Sequence, residues 1–171
     1  MKLTDDDFTL FGLPVRYAVD TARLDESRRV LQAQVHPDRH VAAGAGAQRL
    51  ALQWAARVNE AYRRLKDPLE WAAYLCELRG SPVAAESNTA MPPAFLIEQM
   101  GWREALEDAD GAAAIEALDN QARAREQSLF AEVRTLLDET GDAEAATQRV
   151  RALMFVARFR ADLERRLDTA T

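Results

Sequence analysis

The chain has 171 residues, of which 29% are charged and 48% hydrophobic, which is an ordinary composition for a globular protein of one domain or two small ones. No apolar run approaches the length of a membrane-spanning helix, and the acidic start at residues 5–7 is unlike a signal or transit peptide. A single cysteine excludes an internal disulfide framework. We therefore expect a cytoplasmic protein.

The net charge of −6 is unevenly distributed along the chain. Residues 1–80 carry 12 Lys or Arg and 11 Asp or Glu, whereas residues 81–171 carry 10 and 17. Nucleic-acid binding depends on neutralising phosphates with basic side chains, and the sequence contains no basic stripe. The charge pattern therefore argues against nucleic acid as a partner.

The first third of the chain predicts a short helix followed by a helical hairpin. Asp7 is suited to cap a turn over residues 8–11, and Asp20 to cap a helix that ends before Pro37, because proline disfavours α geometry in the preceding residue. A second amphipathic helix follows a loop of small residues. Its apolar positions are Leu50, Trp54, Val58, Tyr62 and Leu65. Two such helices joined at a tight corner form an antiparallel hairpin.

The rest of the chain predicts further helices and no strand. Pro68 begins a helix whose apolar side includes Cys76, so we expect this cysteine to be buried. Residues 80–91 interrupt the periodicity and are interpreted as a linker. The predicted domains are therefore residues 1–79 and 92–171, and the fold class is all-α.

Three helices with short connections predict an antiparallel bundle over residues 92–171. The first opens at Pro92 and ends near Ala109, the second follows Gly111, and the third starts at the Gly141-Asp142 corner. The apolar stripe of the second helix is Ile115, Leu118, Ala122, Leu129, Val133 and Leu136. That of the third is Ala146, Val150, Leu153 and Ala157.

The tripeptide His36-Pro37-Asp38 displays an imidazole and a carboxylate on a stiff turn, where polar groups usually serve recognition or chemistry. A catalytic base would need a nucleophile and an orienting partner, and no such motif accompanies it. A metal site including His40 matches no common structural zinc spacing. A purely structural turn would not need both His and Asp. The pattern favours recognition of a partner.

The helix that opens at Pro92 has apolar residues on two faces. One face carries Phe95 and Trp102. The second face carries Leu96, Ile97 and Met100, with Glu104 and Asp108 following. A helix of a small bundle needs one buried face, so the second is either packed against the first module or exposed for a partner. Phe155 projects opposite the stripe of the last helix, and we expect it to be exposed to the same partner.

Three segments together resemble a J domain. They are DFTLFGLP from Asp7, the His36-Pro37-Asp38 corner between two helices, and NEAY from Asn59 followed by LKDPL. The segments FLIEQM from Phe95 and VRALMF from Val150 are similar to the C-terminal bundle of the HscB-type iron–sulfur co-chaperones. This resemblance covers nearly the whole chain. It implies an all-α protein, with an N-terminal J-domain hairpin and a C-terminal three-helix bundle, that is not an enzyme.

The resemblance also implies two partners. Proteins of this family bring an iron–sulfur cluster assembly scaffold to a DnaK-like chaperone and stimulate that chaperone's ATPase. The implied chaperone contacts are His36, Pro37, Asp38, Arg39, Arg28 and Arg29. The implied scaffold contacts are Leu96, Ile97, Met100, Glu104, Asp108 and Phe155. Gly101 stands where the family often has an acid, and it weakens the helix. We expect no bound metal and no cofactor.

Two other functions stay open at this point. One is a J-protein adaptor that delivers a different client to a general DnaK-like chaperone. The other is a small metal-dependent hydrolase centred on His36 and His40. Metal analysis of the purified protein would separate the hydrolase from the two adaptor functions.

Overall fold

The computed structural model describes residues 2–36, 38, 44–83 and 91–170. Every regular element in these ranges is a helix, so the all-α prediction is confirmed. The chain divides into two compact units, Met1–Leu75 and Cys76–Thr171, called here the N-terminal and C-terminal units. The sequence-based limits at residues 79 and 92 stay a prediction.

The N-terminal unit is built around a helical hairpin. Its helices are α1, Asp7–Phe11; α2, Thr21–Val35; α3, Ala45–Lys66; and α4, Pro68–Leu78, of which the last three residues belong to the C-terminal unit. Asp25 contacts Lys66, and Gln32 contacts Asn59, so α2 and α3 run antiparallel as predicted. The largest side chains buried in this unit are Phe8, Leu24, Val58, Leu65 and Leu75.

The N-terminal ends of α1 and α2 are capped by aspartates. Asp20 caps α2 as predicted, since its carboxylate accepts hydrogen bonds from two amides of the first turn. The cap of α1 is Asp6, whose carboxylate accepts the amide N–H of Thr9 at 2.9 Å. The prediction that Asp7 caps this helix is wrong. In a run of three aspartates, sequence alone does not show which carboxylate faces the helix end.

Asp7 instead forms a buried double ion pair. Its side chain is completely buried and lies 2.7 Å from Nη2 of Arg57 and 3.0 Å from Nη1 of Arg64, both on α3. Its backbone N–H donates to the hydroxyl of Tyr74 on α4 at 3.0 Å. This one residue therefore joins α1 to both α3 and α4.

The buried stripe of α3 differs from the predicted one at its start. Val58 and Leu65 are buried as expected, but Leu50 is 49% exposed. Ala51 and Ala61 complete the inner face. The buried face of α3 therefore passes through these alanines and not through Leu50.

The C-terminal unit contains three long helices. They are α5, Pro93–Glu107; α6, Ala112–Arg134; and α7, Ala143–Ala170. A π-helical turn, Thr135–Thr140, extends α6. The i→i+5 hydrogen bonds of this turn place Leu137 in the core. The regular α-helical period predicted Leu136 at that position. Asp119 pairs with Arg160 and Glu132 pairs with Arg149, so α6 and α7 are antiparallel.

The core of this unit follows most of the predicted stripes. The buried members are Ile115, Ala122, Leu129, Val133, Ala146, Val150 and Leu153. Cys76 is also buried and free, as predicted, and burial raises the pKa of its thiol. Within the described ranges, no helix has both the length and the apolar character needed to cross a membrane.

Two candidate contact surfaces

The end of α2 displays His36 and Asp38 to solvent. His36 leaves the helix with φ −62° and ψ 125°, as a following proline requires. The side chains of His36 and Asp38 are 58% and 85% exposed. The backbone N–H of Asp38 donates to Nδ1 of His36 at 3.3 Å. Nδ1 of His36 also lies 3.6 Å from the carboxylate of Asp38, so the two side chains form one exposed polar corner.

Part of the predicted corner lies outside the described residues. Pro37 and Arg39 are among these, as is His40. Among the residues that the structure describes, no group of three His, Cys, Asp or Glu side chains could hold a metal ion. The metal-site interpretation that included His40 therefore stays untested.

The two arginines predicted for the same surface have different surroundings. Arg29 is exposed and pairs with Glu26 one turn earlier, at 3.0 Å. Arg28 is half-buried, with its guanidinium carbon 4.0 Å from the ring centroid of Tyr62 on α3. This cation–π contact makes Arg28 part of the hairpin packing as well as a surface charge.

Tyr62 is held in turn by a charged pair. Its hydroxyl donates to Asp25 at 2.8 Å, and Lys66 donates to the same carboxylate at 3.0 Å. The hydrogen bonds from Tyr62 and Lys66 lower the pKa of Asp25, and the bond to Asp25 raises the pKa of Lys66. The guanidinium of Arg28 therefore packs on the Tyr62 ring, and contacts with both α2 and α3 hold that ring in place.

A groove of about 710 Å³ runs between α2 and α3 next to this ring. Gln32 and Asn59 meet across it, with the Gln32 side-chain amide donating to Asn59 at 3.1 Å. The sequence alone did not predict this groove. Its walls come from α2, α3 and the start of α4, and the positions of these helices depend on the packing of the whole hairpin.

A second candidate surface lies on α5. Leu96, Ile97 and Met100 are 44%, 71% and 61% exposed, whereas Phe95 is buried. Glu104 and Asp108 are also exposed. The division of α5 into two faces agrees with the prediction, and the exposure of the second face is what a partner surface requires.

Phe155 does not share this exposure. Its ring is half-buried and packs edge-on against Phe95, with centroids 5.7 Å apart. Trp102 and Phe159 complete an aromatic cluster between α5 and α7, and the guanidinium of Arg103 lies 5.9 Å from the Phe155 ring centroid. The expectation of an exposed Phe155 is wrong because the aromatic face of α5 covers it. Its role in partner contact stays a prediction.

Comparison with known proteins identifies the family. Residues 91–164 match the family model described as the HSCB C-terminal oligomerisation domain. A co-chaperone protein HscB homolog from Paraburkholderia phymatum is 49% identical over 165 residues, which are 95% of this chain and 94% of the relative. The chain belongs to the HscB co-chaperone family.

Solved HscB structures agree with both units of the fold. Chaperone HscB from Vibrio cholerae superposes with a TM-score of 0.82 at 35% identity, covering 98% of this chain and 100% of that one. Human co-chaperone HscB gives 0.89 at 26% identity, covering 97% and 84%. The N-terminal unit is therefore the J domain, and the C-terminal unit is the HscB helical domain. HscB family membership gives the chain a co-chaperone role in iron–sulfur cluster assembly.

Proposed function

We propose that the chain stimulates the ATPase of a DnaK-like chaperone and delivers an iron–sulfur cluster scaffold protein to it. It acts as a cytoplasmic adaptor, without catalytic activity, resident metal or cofactor. The observation that carries the proposal is the pair of exposed surfaces, one on each unit: the polar corner at His36 and the apolar face at Leu96–Met100. Two surfaces of unlike chemistry suit two different partners.

The corner suits a partner with a basic centre and an acidic surround. The exposed carboxylate of Asp38 can accept a charge-assisted hydrogen bond from a partner arginine, and the imidazole of His36 adds a second polar group beside it. Arg28 and Arg29 add positive charge on α2, with Arg39 and Pro37 completing the predicted contact. Such charges mainly raise the association rate and restrict the partners that can dock.

The face on α5 suits an apolar partner surface bordered by basic residues. Leu96, Ile97 and Met100 form its centre, and Glu104 and Asp108 form an acidic border. An apolar centre with a polar border is the usual arrangement of a specific protein interface. Phe155 contributes by packing against Phe95 beneath this helix.

The test compares the wild type with His36→Gln in an ATPase assay using a purified DnaK-like chaperone and cluster scaffold. The wild type should stimulate hydrolysis, and the scaffold should increase that stimulation. His36→Gln should lose the stimulation at unchanged helical content and melting temperature, because an exposed residue contributes little to folding. Stimulation by the variant at the wild-type level would contradict the chaperone contact. Stimulation of a general chaperone without scaffold binding would indicate an adaptor for a different client.

A further inference from the structure

Four charged side chains form a continuous series across the three helices of the C-terminal unit. Glu98 on α5 accepts from Nε of Arg125 on α6 at 2.8 Å, and Nη1 of Arg125 donates to Glu132 at 3.3 Å. The other oxygen of Glu132 accepts from Nε of Arg149 on α7 at 2.5 Å. All four side chains are half-buried, and the series is called here the charge ladder.

The charge ladder reaches α5 next to the exposed apolar residues of that helix. The aromatic cluster attaches α5 to α7, whereas the bond from Arg125 to Glu98 attaches it to α6. Glu98 directly follows Ile97 and precedes Met100 by two residues, at the border between the buried and exposed faces of the helix. A bond at this border resists rotation of α5 about its own axis. Such a rotation would change the direction in which Leu96, Ile97 and Met100 face the solvent.

Arginine is suited to holding α5 in one orientation because its guanidinium group is a rigid, planar fork. Arg125 uses two different nitrogens for two carboxylates on two helices. A shift of α5 relative to α6 would therefore break or bend one bond while the other stays in place.

We propose that Arg125 is a positioning residue for the scaffold surface: through Glu98 it sets the orientation in which α5 presents Leu96, Ile97 and Met100. This inference rests on the proposed scaffold contact and adds a residue on another helix. Partly exposed ion pairs contribute little to folding, because solvent screens their attraction and ordering the two side chains costs entropy. The main effect of the charge ladder should therefore appear in α5 and its binding, with a small effect on global stability.

The first measurement uses the free, full-length protein. Arg125→Gln is compared with Arg134→Gln, which removes the same charge from an exposed position on the same helix. We expect faster amide hydrogen exchange over residues 94–104 in Arg125→Gln and not in Arg134→Gln. Equal exchange in both variants and the wild type would overturn the proposal, because α5 would then not depend on the charge ladder.

The second measurement is affinity for the purified cluster scaffold. Arg125→Gln should weaken binding by about threefold to tenfold, within the usual range for coupling between interacting residues. Glu98→Ala should weaken it equally, and the double variant should be no weaker than either one, since all three variants remove the bond between Arg125 and Glu98. Arg125→Lys should recover part of the affinity, because it keeps the charge but lacks the fork.

The outcomes separate the inference from the function on which it rests. If the wild type binds the scaffold, Leu96→Ala weakens binding and Arg125→Gln binds like the wild type, the positioning role fails alone. Additive losses in the double variant would also overturn it, because they would mean that Arg125 and Glu98 affect scaffold binding independently. If the wild type does not bind the scaffold at all, the proposed function fails and the inference fails with it.

Discussion

The ring of Phe155 on α7 packs edge-on against the ring of Phe95 on α5, with their centroids 5.7 Å apart. Edge-to-face aromatic pairs contribute to stability beyond the area that they bury. The proposed scaffold surface therefore contains two kinds of residue. Leu96 and Met100 are exposed, whereas Phe155 also holds the bundle together.

Alanine substitutions should separate these two kinds. Leu96→Ala and Met100→Ala should hardly change the denaturation midpoint, whereas buried Leu or Met residues lose about 2–5 kcal/mol on truncation. Phe155→Ala should cost about 2–3 kcal/mol of stability, below the range for a fully buried Phe. The two exposed substitutions together should reduce scaffold binding by about 2 kcal/mol or more, as expected at an interface hot spot.

The measurement is a denaturant midpoint and a scaffold affinity for each of these variants. Leu52→Ala, an exposed leucine on α3, serves as the control that should change neither quantity. Large stability losses at Leu96 and Met100 with unchanged scaffold affinity would show that this face is covered in the folded protein. The scaffold would then dock elsewhere.

Charge reversal on α2 should distinguish Arg28 from Arg29. Arg29→Glu changes an exposed charge, so it should weaken chaperone binding at little cost in stability and make the salt dependence shallower. Arg28→Glu should weaken binding too, but it also loses the Tyr62 stacking contact and should lower the melting temperature. Titrations at several ionic strengths measure both effects. An unchanged salt slope in Arg29→Glu would remove this face from the interface.

Helix ends were largely predictable because their determinants are local. Asp20 caps α2 through its own first turn, and Gly111 and Gly141 stand at positive φ beside the ends of α6 and of its π-helical extension. The inner faces were less predictable. Leu137 replaces Leu136 in the core because of a π turn that no sequence period indicates.

Only those features of the candidate surfaces that depend on a single helix were predictable from the sequence. The exposed face of α5 follows from the positions of Leu96 and Ile97, which precede Met100 by four and three residues. The covering of Phe155 and the bond between Glu98 and Arg125 depend on how α5 lies against α7 and α6. Such contacts between residues far apart in the chain leave no periodic signal in the sequence.

Asp7 and Asp6 should respond very differently to substitution. Asp7→Asn leaves Arg57 and Arg64 without their buried countercharge and should cost about 3–5 kcal/mol, as for other broken buried ion pairs. Asp6→Ala removes a helix cap and should cost about 0.5–2 kcal/mol. Denaturation of each full-length variant measures both. Equal losses would contradict the central role of Asp7.

The stability of the C-terminal unit should depend on pH through Asp119. Burial alone would raise the pKa of this carboxyl, but hydrogen bonds from Arg160 and Arg123 outweigh it and lower the pKa. The stabilising contribution is therefore complete above the unfolded-state pKa of about 3.9 and is lost as the pH falls through the lower folded-state value. Asp119→Asn should cost about 1–3 kcal/mol at pH 6, and this difference should shrink below about pH 4.

Urea denaturation at a series of pH values checks this dependence. Asp162→Asn is the control, because Asp162 pairs with Arg165 on the exposed side of α7 and should contribute little. A difference between the wild type and Asp119→Asn that persists undiminished at pH 2 would mean that the carboxylate charge is not the source of the stabilisation.

Gly101 offers a stabilising substitution on the proposed scaffold surface. It lies inside α5, is exposed, and a Cβ built on it meets no atom within 4 Å. Glycine in a helix interior is destabilising relative to alanine, because the unfolded chain loses more freedom on folding. Gly101→Ala should therefore stabilise the protein by about 0.5–1 kcal/mol. Helical content and the denaturation midpoint measure the gain.

Gly111→Ala provides the opposite control, because Gly111 has φ 79° at the start of α6 and an alanine there is strained. It should destabilise the protein by about 1–3 kcal/mol. Gly101→Ala should also retain scaffold binding, since a methyl group at this open position does not displace Met100 or Glu104. A loss of scaffold affinity in a variant that is more stable would show instead that the partner approaches the backbone of α5 at Gly101. The missing side chain would then be a requirement of binding, and the glycine would be a specific feature of this surface.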